Sequence, residues 1–310
     1  MNRPIAAWQT WPSRWQSYWF SEVPPHSTAL LRIVFGALAL VTLAGLTPVD
    51  MFWSLDGLSP LPANPSGLRG WLMYHGLGTV IGRAFFAYSV LAAVATLVGY
   101  RSGLAVLATF MGLWLQLRWN RLPLSAAHHV PLAVFFFLIW TETGQVWSVD
   151  AWLRRRRGVT VLRPVPIWPL RLICYQISLV YLSSALWKLL YPIWRDGSAV
   201  YWVLSLNAFH RFPWPLPNAV EPILPVLTWG IVLFELLFPL LVWRPATRTL
   251  TLWIGVGLHF GLWLTLELGP FSLVMVGSYI AFLDPHQVAK LLSHLGTRQL
   301  TISSSPASAL

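Results

Sequence analysis

The residue type most able to do chemistry here is a lysine in an apolar run. Lys188 lies near the end of the stretch Leu172 to Leu190, which continues Tyr181-Leu-Ser-Ser-Ala-Leu-Trp-Lys-Leu-Leu-Tyr-Pro-Ile-Trp-Arg-Asp-Gly197. An ammonium inside a membrane span costs about 2.5–3.5 kcal/mol at the helix centre and less near an end. Such a residue faces a bundle interior or a wet cavity and marks a functional site by default. In a partly dry pocket a lysine can shed its proton and act as a base. His128, His129 and His259 are the other candidate catalytic groups. By the i, i+3/i+4 rule, Cys174, Ile177, Tyr181, Ser184 and Lys188 share one helix face, a mixed and partly polar one, as a cavity wall would be. His259, Trp263 and Glu267 form a stripe on a later segment. Arg32, Arg83, Gln116, Gln176 and Glu235 complete the polar groups within apolar runs. No zinc-protease, nucleophile-elbow, phosphate-loop or dinucleotide motif occurs. No pair of residues has metal-ligand spacing.

The elements that must position these groups follow from composition. The chain has 310 residues, 56% hydrophobic and only 10% charged, against about 25% charged in a soluble domain. The expected fold is all-α: a multi-pass integral membrane helix bundle, because lipid offers unpaired backbone groups no partners. The apolar runs predict about eight spans: 27–46, 78–98, 103–119, 127–141, 168–190, 224–243, 248–266 and 270–283. Residues 1–26 read as an interfacial amphipathic segment, with Trp8, Trp11, Trp15 and Trp19 at helical spacing. Residues 27–285 form the transmembrane domain, and 286–310 a polar C-terminal tail. The single cysteine, Cys174, excludes an intrachain disulfide.

A formal net charge of +11 would suggest nucleic acid in a soluble protein. Here the charge sits mostly in short loops, so it reports topology and contact with the lipid bilayer, and no nucleic acid is expected. With both termini cytoplasmic, the inner segments collect Arg101, Arg244, Arg248, Lys290 and the run Arg154 to Arg157, as the positive-inside rule requires. Two long outer loops, Thr47–Gly76 and Pro192–Pro222, are rich in aromatics, Pro and Gly, and are expected to cap the outer face.

That topology places Lys188 near the outer boundary, level with His128 and His129. His259 lies roughly 16 Å up from the inner boundary at 1.5 Å per residue, within approach of a cavity floor. Glu235 falls at similar depth, and two long side chains allow an Arg32–Glu235 pair, although their depths match poorly. The competing readings are structural: Lys188 and Arg83 snorkelling to the interface, the histidines as ordinary interfacial or core residues.

Several segments together resemble the HTTM (horizontally transferred transmembrane) domain, the membrane module of vitamin K-dependent gamma-carboxylases. They are Leu31-Arg-Ile-Val-Phe-Gly36, Gly99-Tyr-Arg101, His128-His129 followed by Trp147-Ser-Val-Asp150, Gln176 with Tyr181, Lys188 and Trp194-Arg-Asp-Gly197, and His259 with Gly269-Pro-Phe271. The likeness runs in order over roughly residues 27–285. It implies that Lys188 matches the lysine that deprotonates a hydroquinone, that a histidine steadies a developing oxyanion, and that reduced quinone is the cofactor. Trp187 stands where the carboxylase has a second lysine, and the chain is expected to end without the carboxylase's lumenal domain. The functional expectation is a carboxylase-like enzyme acting on a quinol or lipophilic substrate, with an outward-facing Lys188 base. The alternative is a non-catalytic membrane scaffold, a maturation or export partner of another membrane or secreted protein. A small-solute transporter would show internal repeats, and none is visible.

Overall fold

The computed structural model describes residues 11–53, 67–119, 126–159, 161–206, 209–212 and 218–292. The chain divides into two compact units: residues 1–173 together with 280–310, and residues 174–279.

The first unit carries α1 (Trp11–Phe20), β1 (Glu22–Val23), α2 (His26–Ala44), α3 (Asp50–Trp53), α4 (Gly67–Tyr74), α5 (Gly78–Val98), α6 (Ser102–Trp119), α7 (Ala126–Leu138), α8 (Val149–Arg156) and β2 (Val165–Pro166). It also holds the first residues of α9 (Trp168–Leu190). The second unit holds the rest of α9, then α10 (Pro192–Arg195), α11 (Ala199–Ser205), α12 (Leu224–Leu241), α13 (Pro245–Thr265) and α14 (Phe271–Ser278). The chain then returns to the first unit as α15 (Pro285–Leu292), which packs on α2. The only sheet among the described residues pairs β1 with β2, antiparallel, with Val23 opposite Val165. The fold is all-α.

A helix stands at each of the eight apolar runs. Four are long and apolar enough to cross a membrane: His26–Ala44, Gly78–Val98, Trp168–Leu190 and Val220–Leu241. Their outward faces carry exposed large apolar side chains, such as Leu179, Leu186 and Leu190 on α9 and Val226, Leu233 and Leu240 on α12. Water would not tolerate such faces, but lipid does. In the first unit α2 and α5 approach backbone to backbone at Gly36, where a Cβ would lie 2.9 Å from the Leu97 backbone. Small residues serve this purpose between membrane helices.

Arg32 is a buried cation in this unit, with no exposed surface. Its guanidinium donates to the carbonyls of Thr143 (3.1 Å), Thr96 (2.6 Å), Leu97 (2.8 Å) and Trp147 (2.7 Å). Thr96 and Leu97 belong to the last turn of α5, whose carbonyls lack intrahelical partners and carry the negative end of the helix dipole. The planar fork of arginine suits this division among several acceptors. Gly99 ends α5 in the left-handed conformation, φ 70°. A Cβ there would fall 2.7 Å from the guanidinium, so glycine is needed twice over. Asp150 faces the start of α6, accepting from the Arg101 N–H (2.8 Å), the Ser102 N–H (2.7 Å) and the Ser102 hydroxyl (2.7 Å). Ser148 caps α8 through the Ala151 N–H (2.9 Å).

The segment 47–76 includes α3 and α4, and its Trp53 is 4% exposed. Its indole stacks on Trp119 at 4.2 Å and donates to Gln116 (3.2 Å). Trp8 and residues 54–66 lie outside the described residues.

Candidate functional site

The second unit gathers Gln176, Lys188, Glu235 and His259 among the polar groups that the sequence singled out. On α9, Cys174, Ile177, Tyr181 and Ala185 are buried and Ser184 and Lys188 half-buried, while Tyr175, Leu179, Leu186 and Trp187 are exposed. One mixed face therefore turns inward, as the helical spacing predicts. Trp187 belongs to the opposite, outward side, 62% exposed. On α12 the buried positions Leu224, Thr228, Val232, Glu235 and Phe238 follow the same periodicity. On α13 they are Thr251, Leu252, Gly255 and His259.

Lys188 and Glu235 form an ion pair, with side chains 19% and 9% exposed. The Lys188 Nζ also donates to the Ser184 hydroxyl (3.1 Å) and lies 4.8 Å from the centre of the Trp194 ring, a cation–π distance. Helical side chains lean toward the start of their own helix. Lys188 therefore reaches back over Ser184, one turn earlier, rather than onward to the end of α9. Glu235 keeps its second oxygen, Oε2, buried and without a partner among the described residues.

Further back along the same face, the Tyr181 hydroxyl bonds to His259 Nε2 (2.6 Å) and to the Tyr279 hydroxyl. The rings of Phe238 and Phe271 enclose this group, with Phe238 at 4.1 Å from Tyr181 and Phe271 at 5.5 Å from His259. His259 is 2% exposed, and its Nδ1 has no partner among the described residues. Gly255, one turn from His259, makes room for the Tyr279 hydroxyl. An apolar shell around paired hydroxyl and imidazole groups strengthens each bond, because little water competes.

His128 and His129 belong to the first unit, on α7. His128 lines a small cavity of about 10 Å³ with Thr42 and Gln116, room for about one water. His129 is exposed. Two expectations are corrected. Arg32 and Glu235 do not pair: Arg32 is saturated by backbone carbonyls, and the partner of Glu235 is Lys188. The stripe His259, Trp263, Glu267 divides, since Glu267 is exposed and pairs with Arg211 at 3.2 Å. Arg211 also donates to the Trp263 carbonyl (2.6 Å), near the end of α13. Tyr279 escaped the sequence reading, one of three hydroxyl residues, with Ser272 and Ser278, in a largely apolar run.

The residues held in these two clusters, Arg32, Gly99, Trp147 and Asp150 in one and Tyr181, Lys188 and His259 in the other, lie in the segments that carried the family likeness. Residues 20–286 match the HTTM domain. The chain belongs to the HTTM family. This HTTM protein is similar to the sporulation-delaying protein SdpB of Bacillus subtilis (strain 168), 28% identical over 131 residues, 40% of each chain. It is also similar to the uncharacterized protein YitO of Bacillus subtilis (strain 168), 33% identical over 121 residues, 36% of this chain and 37% of YitO. The matches thus span about two-fifths of either relative. No solved structure matches this HTTM protein. Family and apolar helices together make it a membrane protein.

Proposed function

We propose that this protein crosses the membrane about eight times, with both termini cytoplasmic, and uses the Lys188 site to deprotonate a hydroxyl of a lipophilic, quinol-type substrate. The carrying observation is the Lys188–Glu235 pair on the inward faces of two apolar helices. A buried ion pair is poor value as a stabilising device, since desolvation offsets most of its attraction. A charged pair that can exchange a proton with a bound hydroxyl gives the site a use for that expense. The aromatic surroundings, Trp194 among them, suit a flat aromatic ring. Lys188 is central to the reading. His259 with Tyr181 and Tyr279 forms a second polar layer, and His128 and His129 remain candidate oxyanion groups by family likeness.

The test is binding and turnover of a reduced quinone by the purified protein, with Lys188→Ala beside the wild type. Loss of turnover with unchanged extraction and monodispersity supports the reading. Full turnover in the variant would remove Lys188 from the chemistry. Reporter fusions at each predicted loop test the topology.

A second reading, a non-catalytic membrane scaffold in the maturation or export of another protein, draws on the likeness to SdpB, a sporulation-delaying protein by name. It predicts a stable complex with a membrane or secreted protein after mild detergent extraction, unchanged by Lys188→Ala.

A further inference from the structure

We infer that Glu235, not Lys188, is the group that receives the substrate proton, and that Lys188 remains an ammonium that holds the oxyanion so formed. This division of labour rests on the quinol-type reading above.

The donor count comes first. A lysine ammonium has three N–H donors and no acceptor. Lys188 has three partners for them: Glu235 Oε1, the Ser184 hydroxyl at 3.1 Å and the face of Trp194 at 4.8 Å. Nothing in that arrangement calls for a neutral amine, whose lone pair would have to point at one of these same groups. Glu235 is the member left incomplete. Its Oε2 is buried and has no partner among the described residues, and a buried carboxylate oxygen of that kind calls for an explanation. The missing partner is a donor, and a substrate hydroxyl is one.

The charge count agrees. The resting pair is neutral as a whole, one ammonium and one carboxylate. When a hydroxyl binds, its O–H bond breaks, the proton goes to Glu235 and the bonding electron pair stays on the substrate oxygen. The site then holds a neutral carboxylic acid, an ammonium and an aryloxide, again neutral as a whole. No net charge is created in the apolar bundle. If a neutral Lys188 took the proton beside an ionised Glu235, the site would start and finish with a net negative charge, which low-dielectric surroundings penalise. The geometry also gives a route. Lys188 is the more exposed partner, 19% against 9%, so an incoming hydroxyl meets the ammonium first. The last torsion of a glutamate is broad and roughly two-fold, so rotation can bring either oxygen to the hydroxyl.

The experiment uses the full chain in detergent or nanodiscs, anaerobically, with tetramethylhydroquinone as probe. Binding is read by tryptophan quenching, aryloxide by its ultraviolet absorbance, and carboxyl protonation by infrared difference spectroscopy. Wild type should bind, form aryloxide and gain a protonated-carboxyl band. Glu235→Gln should still bind but lose that band and lower the aryloxide yield by roughly a hundredfold. Lys188→Arg should keep both, because an arginine keeps the positive charge although it cannot act as a base. Glu235→Asp, a carboxylate on a shorter stem, should restore part of the aryloxide and shows that loss in the Gln variant is not misfolding. Aryloxide formed by Glu235→Gln at the wild-type yield, or abolished by Lys188→Arg, overturns the assignment while leaving the quinol reading in place. A wild type that does not bind the hydroquinone overturns both.

Discussion

Gly255 lies under the hydroxyl of Tyr279: a Cβ at that position would come within 2.3 Å of the oxygen and 2.9 Å of the ring carbon that bears it. The absent side chain of one residue therefore sets the position of the Tyr279–Tyr181–His259 network.

Gly255→Ala is accordingly expected to push Tyr279 aside and weaken its bond to Tyr181. Overpacking of this kind costs about 1–3 kcal/mol. Tyr279→Phe in the same background removes the closest atom, so the double variant should recover part of the loss. Thermal unfolding of the two single variants and the double variant in one detergent measures the coupling. Strictly additive effects would show that Gly255 and Tyr279 do not interact.

Arg32→Lys should be far from conservative. Its acceptors, the adjacent Thr96 and Leu97 and the more distant Thr143 and Trp147, come from different parts of the chain, and a compact ammonium cannot span them as the guanidinium fork does. Each buried carbonyl left unpaired costs about 1–3 kcal/mol. The expected result is a strongly lowered unfolding temperature or a loss of monodisperse protein on size exclusion. Asp150→Asn keeps the shape and should do less harm. A lysine variant with the wild-type unfolding temperature would sink this account.

The Asp50–Arg83 pair supplies a pH test. Arg83 donates to both oxygens of Asp50, through Nε at 2.9 Å and through a guanidinium NH2 group. Those hydrogen bonds hold the Asp50 carboxyl below its usual value. A folded-state value that is depressed stabilises at pH above the ordinary carboxylate range, and the contribution is lost as pH falls through the folded value. Both side chains are well exposed, so the effect is small and screened by salt. Wild type should exceed Arg83→Gln in unfolding temperature near neutrality and converge with it in acid. A gap that persists in acid would assign the difference to something other than this carboxylate.

The helices were legible in the sequence because apolar runs bounded by Gly, Pro and Arg leave little choice of ends. Residues 78–98 and 168–190 match their helices at both ends. The inward face of α9 was equally plain, since Tyr181, Ser184 and Lys188 differ so much from Leu179, Leu186 and Leu190. The Lys188–Glu235 pair was not legible. Counting residues along a span gives the depth of a Cα, whereas a lysine side chain leans back along its helix and meets partners well away from its own level. Lys188 bends back to Ser184, one turn earlier on α9, and there meets Glu235. Arg32 misled for another reason. Its partners are carbonyls, which every residue carries, so no side chain in the sequence announced them. The loop 47–76 concealed Trp53 similarly, because its seat depends on Gly82, where a Cβ would meet the indole at 2.4 Å.

The seat of Arg32 also imposes an order on biogenesis. Its acceptors at Thr143 and Trp147 lie 111 and 115 residues later in the chain. As the ribosome delivers the protein from its N-terminus, α2 reaches the bilayer carrying a guanidinium whose acceptors have yet to be made. The nascent helix must therefore hold that charge in the insertion machinery or at the membrane surface until α5, α6 and α7 have followed. Arg32 gains its full set of carbonyl acceptors only then, so α2 is secured through residues made more than a hundred positions later.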